Sequence, residues 1–256
     1  MRNKMKSYDL IFSIGQACSC TSALRRAGLQ LHSYPFDWLF GADFAGRVGI
    51  LLGDFQRFIN KEDLEYFYSE KSISCEAYKN NFNGLVFNHD FLSSTEFGVM
   101  HRQVLEKYNR RISRLQTQIA NASKILLVYV EQPFVGQPLT ADWTLEGSLR
   151  QLRAKYPNKS IDLLYFYNDF SFKPLEFQKE CVAEGVFKVV GNYKDMTRMG
   201  QGEEHEVDLK FFDEQLKDLR LNAPLSYKVK RLLQKIAVKL VPFRASRRRL
   251  RKAWKI

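Results

Sequence analysis

The stretch YDLIFSIGQACSCTSALRRAG, residues 8–28, decides the fold class. Tyr8 to Ile14 is an apolar run broken only by Asp9 and Ser13, and it reads as a buried strand. Gly15 ends it. A helix of about ten residues follows and stops at Gly28, a residue type that suits the left-handed turn after a helix. A strand feeding directly into a helix is half of a βαβ unit, and the chain repeats the alternation downstream. KILLVYVEQP (124–133), IDLLYFYND (161–169) and GVFKVVGNY (185–193) read as three more buried strands. Between them, TLEGSLRQLRAKYP (144–157) places Leu145, Leu149 and Leu152 on one side of a helix, and residues 207–221 read as another. The expectation is a three-layer α/β domain over residues 7–222, with a mostly parallel sheet covered by helices on both faces.

LHSYPFDWLFG (31–41) is extended and aromatic, because Pro35 excludes a helix. Residues 43–70 read as mostly helical, with Phe55, Phe58, Ile59, Leu64 and Phe67 as the apolar side. NGLVFNHDF (83–91) opens on a turn pair and then reads as a strand over 85–88. Residues 98–122 form a long helix, with Val104, Tyr108, Ile112, Leu115 and Ile119 at three- and four-residue spacing.

Composition sets the class. The chain has 256 residues, of which 45% are apolar and 14% aromatic, enough for a real core. No run approaches the ~18 uncharged apolar residues of a membrane-spanning helix. The start, MRNKMKSYDLIFSIG, is basic and then apolar. The apolar part is too short for a signal peptide and carries Asp9, so a first strand and a cytosolic protein are expected. Four cysteines fit a reducing compartment better than a disulfide framework. The net charge of +12 is local. Residues 226–256 hold twelve Lys and Arg and no acid, so 28 of the 40 basic residues remain to balance 28 acidic ones upstream. The description is a neutral domain with a basic tail, residues 223–256.

In an open α/β sheet, ligands bind at the carboxyl ends of strands. Cys18 falls there, in the first turn of the first helix, where the helix dipole and backbone N–H groups stabilise a thiolate or an oxyanion. A buried apolar cysteine is the bland alternative. Cys20 lies about 200° further round the helix, so the two thiols cannot serve one site equally. Cys75 and Cys181 have no Cys or His at a metal-binding spacing, so no metal and no cofactor is expected. A thiol nucleophile needs a base. Of the four histidines, His32 lies in a turn region, His101 near a helix start and His205 in the acidic loop GQGEEHEV. His89 stands at the end of the strand over 85–88. If that strand runs parallel to the first, both open on the same sheet edge. Asp37, Asp90 and Asp169 are the candidates for a carboxylate that orients the histidine, Asp90 being adjacent to His89 and so directed to the other side of a regular strand. The chain has no Asp-x-Asp for a nucleotide-sugar metal, no P-loop and no Gly-x-Gly-x-x-Gly after a strand.

Ser13-Ile14-Gly15, Cys18, Ala23-Leu24-Arg25, Pro35-Phe36-Asp37-Trp38 and His89-Asp90-Phe91 together resemble the hallmarks of a bacterial domain-of-unknown-function family described as "putative papain-like cysteine peptidases". The likeness is close over residues 8–92 and loose beyond. It implies that Cys18, not Cys20, is the family cysteine and that Cys18 and His89 share a site, with Asp37 or Asp90 as further catalytic candidates. Gly15, Gln16, Ser19 and Trp38 are then the candidates for the oxyanion and substrate-binding groups. A strand leading straight into the thiol departs from papain itself, where a long helix packs against a barrel.

The tail carries its own pattern. Residues 227–241 place Val229, Leu232, Leu233, Ile236 and Leu240 on one helical side, with Lys228, Arg231, Lys235 and Lys239 around it. Pro242 ends that helix, and Arg247, Arg248, Arg249 and Trp254 lie in a second basic segment. Apolar face, basic flanks and a terminal Trp suit an in-plane helix on an anionic membrane surface. Nucleic acid is the rival partner. Such tails resemble those ending many bacterial enzymes of lipopolysaccharide and capsule assembly. The expected function is a cysteine-nucleophile hydrolase or acyl-type transferase, peripheral to the inner face of the cytoplasmic membrane, with a small-molecule, glycan or peptide substrate. The alternatives are a non-catalytic membrane-docking module of a glycan-assembly complex and a metal-independent glycosyltransferase.

Overall fold

The computed structural model describes residues 5–15, 17–131, 144–193 and 203–241. The chain forms two compact units, Met1–Leu221 and Asn222–Ile256. The first unit is mixed α/β. In chain order it holds β1 (Lys6–Tyr8), β2 (Leu10–Ser13), α1 (Ala17–Arg26), β3 (Phe40–Gly41), α2 (Phe44–Leu52), β4 (Leu64–Glu70), β5 (Cys75–Asn80), β6 (Leu85–Leu92), α3 (Phe97–Asn121) and β7 (Lys124–Val130). Then come α4 (Leu145–Lys155), β8 (Ser160–Asn168), β9 (Phe177–Ala183), β10 (Val186–Gly191), α5 (Glu203–Leu216) and β11 (Leu219–Leu221).

The main sheet has the order β2-β7-β8-β10-β9. Its first four strands are parallel and β9 closes the edge antiparallel. The apolar runs are continuous because both faces are covered. Phe12, Leu127, Tyr129, Leu163 and Tyr165 share one buried core with Val48 and Leu51 of α2, the α4 leucines and Tyr108 of α3. The alternate residues Ile11, Leu126, Val128, Leu164 and Phe166 share the other with Cys20, Ala23 and Leu24 of α1 and Phe211, Phe212 and Leu216 of α5. This is the expected three-layer arrangement. β1 pairs parallel with β11 in a separate two-stranded ladder.

Three expectations are corrected. β6 does not join the parallel sheet; it lies in a second, antiparallel sheet of order β3-β6-β5-β4. The reason is local: β5 and β6 are joined by a tight turn, and a connection that short permits only antiparallel pairing. In that turn the Asn80 side chain accepts from the N–H groups of Phe82 and Asn83, and Gly84 N–H donates to Asn80 O. Residues 43–70 are not mostly helical. α2 stops at Leu52 with Gly53 as its cap; Asp54, Phe55 and Arg57 then take positive φ, and the chain enters β4. Phe55, Phe58 and Ile59 are core residues, whereas Phe67 in β4 is exposed. His205, read as part of a loop, lies within α5.

The second unit contains α6 (Leu225–Leu240), which starts after Pro224. Among the described residues no helix is long and apolar enough to cross a membrane.

Candidate active site

The site begins where β2 hands over to α1. Ser13, the last residue of β2, donates its Oγ–H to Gly15 O, and its backbone N–H donates to Gln30 Oε1. Gly15 is required: a Cβ there would come within 1.9 Å of the Tyr129 ring on the neighbouring strand. Three residues on, Cys18 lies in the first turn of α1 and is half-buried. Ser19 is fully buried. Gln16 lies outside the described residues.

His89 reaches this turn from the second sheet. The Cys18 Sγ lies 4.0 Å from His89 Nε2. In a regular strand His89 would share the core-facing side of Phe87 and Phe91. The pairing with β5 shifts here, however: Phe87 sits opposite Tyr78 but Phe91 opposite Glu76. Four residues of β6 thus span two of β5. The bulge leaves His89 exposed and sends Asp90 to α3, where it accepts from Tyr108 Oη at 2.7 Å and pairs with Lys107. Re-aiming a side chain beside a site is a common use of a bulge. The Phe40 ring flanks the imidazole, with centroids 6.5 Å apart.

Arg47 holds the two halves together, and the sequence reading passed over it. Its guanidinium is fully buried and pairs with backbone carbonyls. Nη1 donates to Ile14 O at the end of the thiol strand; Nη2 donates to Leu39 O and Gly41 O, and Nε to Ala42 O. Gly41 belongs to β3, which pairs with β6. One side chain therefore ties the turn carrying Cys18 to the sheet carrying His89. Burial pushes its pKa down to about 10, so it stays cationic at neutral pH. The available signal was a lone Arg inside the apolar run FAGRVGILL.

Neither Asp37 nor Asp90 orients His89. Asp37 is fully buried and accepts from Thr21 Oγ1, from Gln30 Nε2 with both oxygens, from Tyr34 N–H and from Arg25 Nη2. It fastens the Pro-Phe-Asp-Trp loop to α1. Burial raises its pKa, and the hydrogen bonds from Tyr34, Gln30 and Thr21 oppose that rise. Asp169 accepts from Ser171 N–H on the surface. Among the described residues no carboxylate hydrogen-bonds the His89 ring. Trp38 is half-buried at φ 72°, with the Arg25 guanidinium 5.6 Å from its ring centroid.

The other thiols are set apart. Cys20 is buried in the α1–sheet core, donates to Val128 O, and burial pushes its pKa up to about 12. Cys75 is buried and Cys181 exposed. His101 is buried against Ile59 O. Among the described residues no group of three or more His, Cys, Asp or Glu side chains could hold a metal ion.

A carboxyl group that the sequence reading missed stands at the same sheet edge. β2 and β7 run parallel with Ser13 opposite Val128, so Glu131, just past the end of β7, lies at the carboxyl edge of the sheet, the edge at which β2 hands over to α1. Tyr165 Oη donates to its Oε2 at 2.9 Å, and burial holds its carboxyl above the usual range. In the tail, Val229, Leu233, Ile236 and Leu240 of α6 are exposed. The Leu232 side chain, Arg247, Arg248, Arg249 and Trp254 lie outside the described residues.

A family model described as "Putative papain-like cysteine peptidase" (DUF1796) matches residues 9–141, just over half of the chain and a span that includes Cys18, Arg47, His89 and Glu131. No curated protein and no solved structure matches.

Proposed function

The chain belongs to the "Putative papain-like cysteine peptidase" family, and on that premise we propose that it is a cysteine-nucleophile hydrolase or acyl-type transferase. The observation that carries the reading is the 4.0 Å approach of Cys18 Sγ to His89 Nε2 at the start of α1. His89 takes the thiol proton, and the thiolate attacks an acyl carbonyl carbon. The oxyanion that forms is held by backbone N–H groups in the first turn of α1, since first-turn N–H groups of a helix have no intrahelical acceptor. Collapse breaks the bond to the leaving group, which receives the proton from the His89 imidazolium and leaves a thioester on Cys18. Water, or an acceptor hydroxyl or amine, then gives a proton to His89 and attacks the thioester. The acyl product departs, and the sulfur recovers its proton from His89. Trp38 and Phe40 supply an aromatic wall for the substrate.

The basic tail is proposed to hold this domain at an anionic membrane surface on the cytoplasmic side. Support comes from the helical spacing of Val229, Leu233, Ile236 and Leu240 in α6 and from the twelve cations of residues 226–256. Envelope glycan assembly is the setting that such a tail suggests by analogy.

Incubation with p-nitrophenyl acetate, an activated acyl donor, tests the chemistry. Intact mass spectrometry should find one acetyl group on Cys18 of the wild type and none in Cys18→Ala. His89→Ala should slow both its appearance and its loss. Nitrophenol release at an unchanged rate in Cys18→Ala would remove the reading and leave the non-catalytic module standing.

A further inference from the structure

At the opposite, amino-terminal end of the main sheet lies a cleft of about 430 Å³, within the size range of small-molecule sites. Its floor is apolar: Leu126, Leu164, Phe187 and Val189 from three adjacent strands. Its wall is the last turn of α5, which contributes Gln215. Helical spacing puts Gln215 on the same side as Phe211 and Phe212, so the fold draws it inward where a leucine would ordinarily sit. Gln215 is only 5% exposed, yet among the described residues neither its Nε2 nor its Oε1 has a hydrogen-bond partner. A buried amide left unmade at both ends is costly, and native proteins rarely carry one without a use.

The rest of the lining says what would satisfy it. Lys6 Nζ sits 3.4 Å from the centroid of the Phe187 ring, at the mouth. Lys188 is paired with Glu180. Lys6 and Lys179 then face Asp218, with Glu214, itself paired with Lys217, also near Lys179, which leaves one positive charge in excess among the described lining residues. Tyr8 is already committed, donating to Asp162 Oδ2 at 2.7 Å.

We propose that this cleft is a second ligand site, separate from the Cys18–His89 pair, for an anionic heterocycle with a hydrogen-bond donor and acceptor side by side on its ring edge. Nucleoside monophosphates are the common compounds of that kind. The ring lies on the apolar floor; the Gln215 side chain, whose amide is closed to solvent in the free protein, turns toward it so that both amide ends pair with the ring edge, and the anion meets Lys6 and Lys179. Regulation or a second substrate would both use such a site, and neither is needed for the proposal.

The test titrates the full-length protein by calorimetry with uridine 5′-monophosphate, adenosine 5′-monophosphate and, as an anion without a ring edge, ribose 5-phosphate. About 0.3 M salt suppresses adventitious binding to the basic tail. At least one nucleotide should bind ~tenfold or more tightly than ribose 5-phosphate, and Gln215→Leu should remove that margin. The same substitution should raise the melting temperature of the ligand-free protein, because it deletes an unpaired buried amide. Gln215→Met serves if the leucine variant does not fold. Cys18→Ala should bind as the wild type does, which keeps this outcome separate from the fate of the proposed chemistry. Three results would overturn the proposal: no saturable nucleotide binding, equal affinity for all three compounds, or a lowered melting temperature in both Gln215 variants.

Discussion

Glu131 shows how position tunes one side chain. Burial raises its pKa above the ordinary glutamate value, with the Tyr165 hydrogen bond and Lys188 opposing the rise. The folded protein therefore holds this proton more tightly than the unfolded chain does. Its contribution to stability is present in acid and is lost as pH rises through the folded-state value. Glu131→Gln keeps an acceptor for Tyr165 but cannot ionise. Thermal melts of both proteins between about pH 4 and 7 should show the wild type losing ground to Glu131→Gln as pH rises; a difference that does not change with pH would contradict the assignment. At this scale the sequence was partly readable. Cys18 was visible because a strand, a glycine and a helix follow one another in eleven residues' reach, all local signals. Glu131 was not, because only the parallel β2–β7 pairing brings the end of β7 to the same sheet edge as the end of β2.

Among the elements, the parallel strands were legible and the antiparallel ones were not. A strand buried on both faces announces itself as an apolar run, as KILLVYV does. β4 is mostly exposed and reads LEYFYSE, with three consecutive aromatics and no alternation, so its residues pass for one side of a helix. β9, FQKECVA, is an exposed edge strand with mixed charge and no periodicity to find. The bulge in β6 is likewise silent in sequence, yet it decides that His89 faces out. The juxtaposition of His89 with Cys18 rests on β3–β6 pairing and on Arg47. Arg47→Met should remove the hydrogen bonds to four backbone carbonyls and cost on the order of 3 kcal/mol in urea unfolding. Arg47→Lys should recover only part of this, since an ammonium cannot reproduce the planar fork. Stability within a few tenths of the wild type in Arg47→Met would refute the fastening role.

For the whole molecule, the charge divides at one place, and the proposed roles divide with it. The chain up to Leu225 is balanced, and the excess lies in residues 226–256. Truncation after Asn222 should leave a folded domain that no longer sediments with anionic vesicles. In the full chain, raising salt should weaken binding as the Debye length shrinks from roughly 10 Å at 0.1 M. Leu233→Glu or Ile236→Glu should weaken it further at every salt concentration, because an in-plane helix needs its apolar face. A nucleic-acid tail would tolerate both substitutions and yield to salt alone. The catalytic proposal is also a claim about the whole first unit, because Cys18 and His89 come from different sheets and meet only if the unit is assembled. The most direct test is competitive alkylation of the folded protein by iodoacetamide across pH, followed by peptide mass spectrometry of all four thiols. Cys18 should react fastest at neutral pH, while Cys20 stays unlabelled until unfolding; His89→Ala should slow Cys18 about tenfold or more. Cys18 reacting no faster than the exposed Cys181, and indifferent to His89→Ala, would contradict the catalytic proposal.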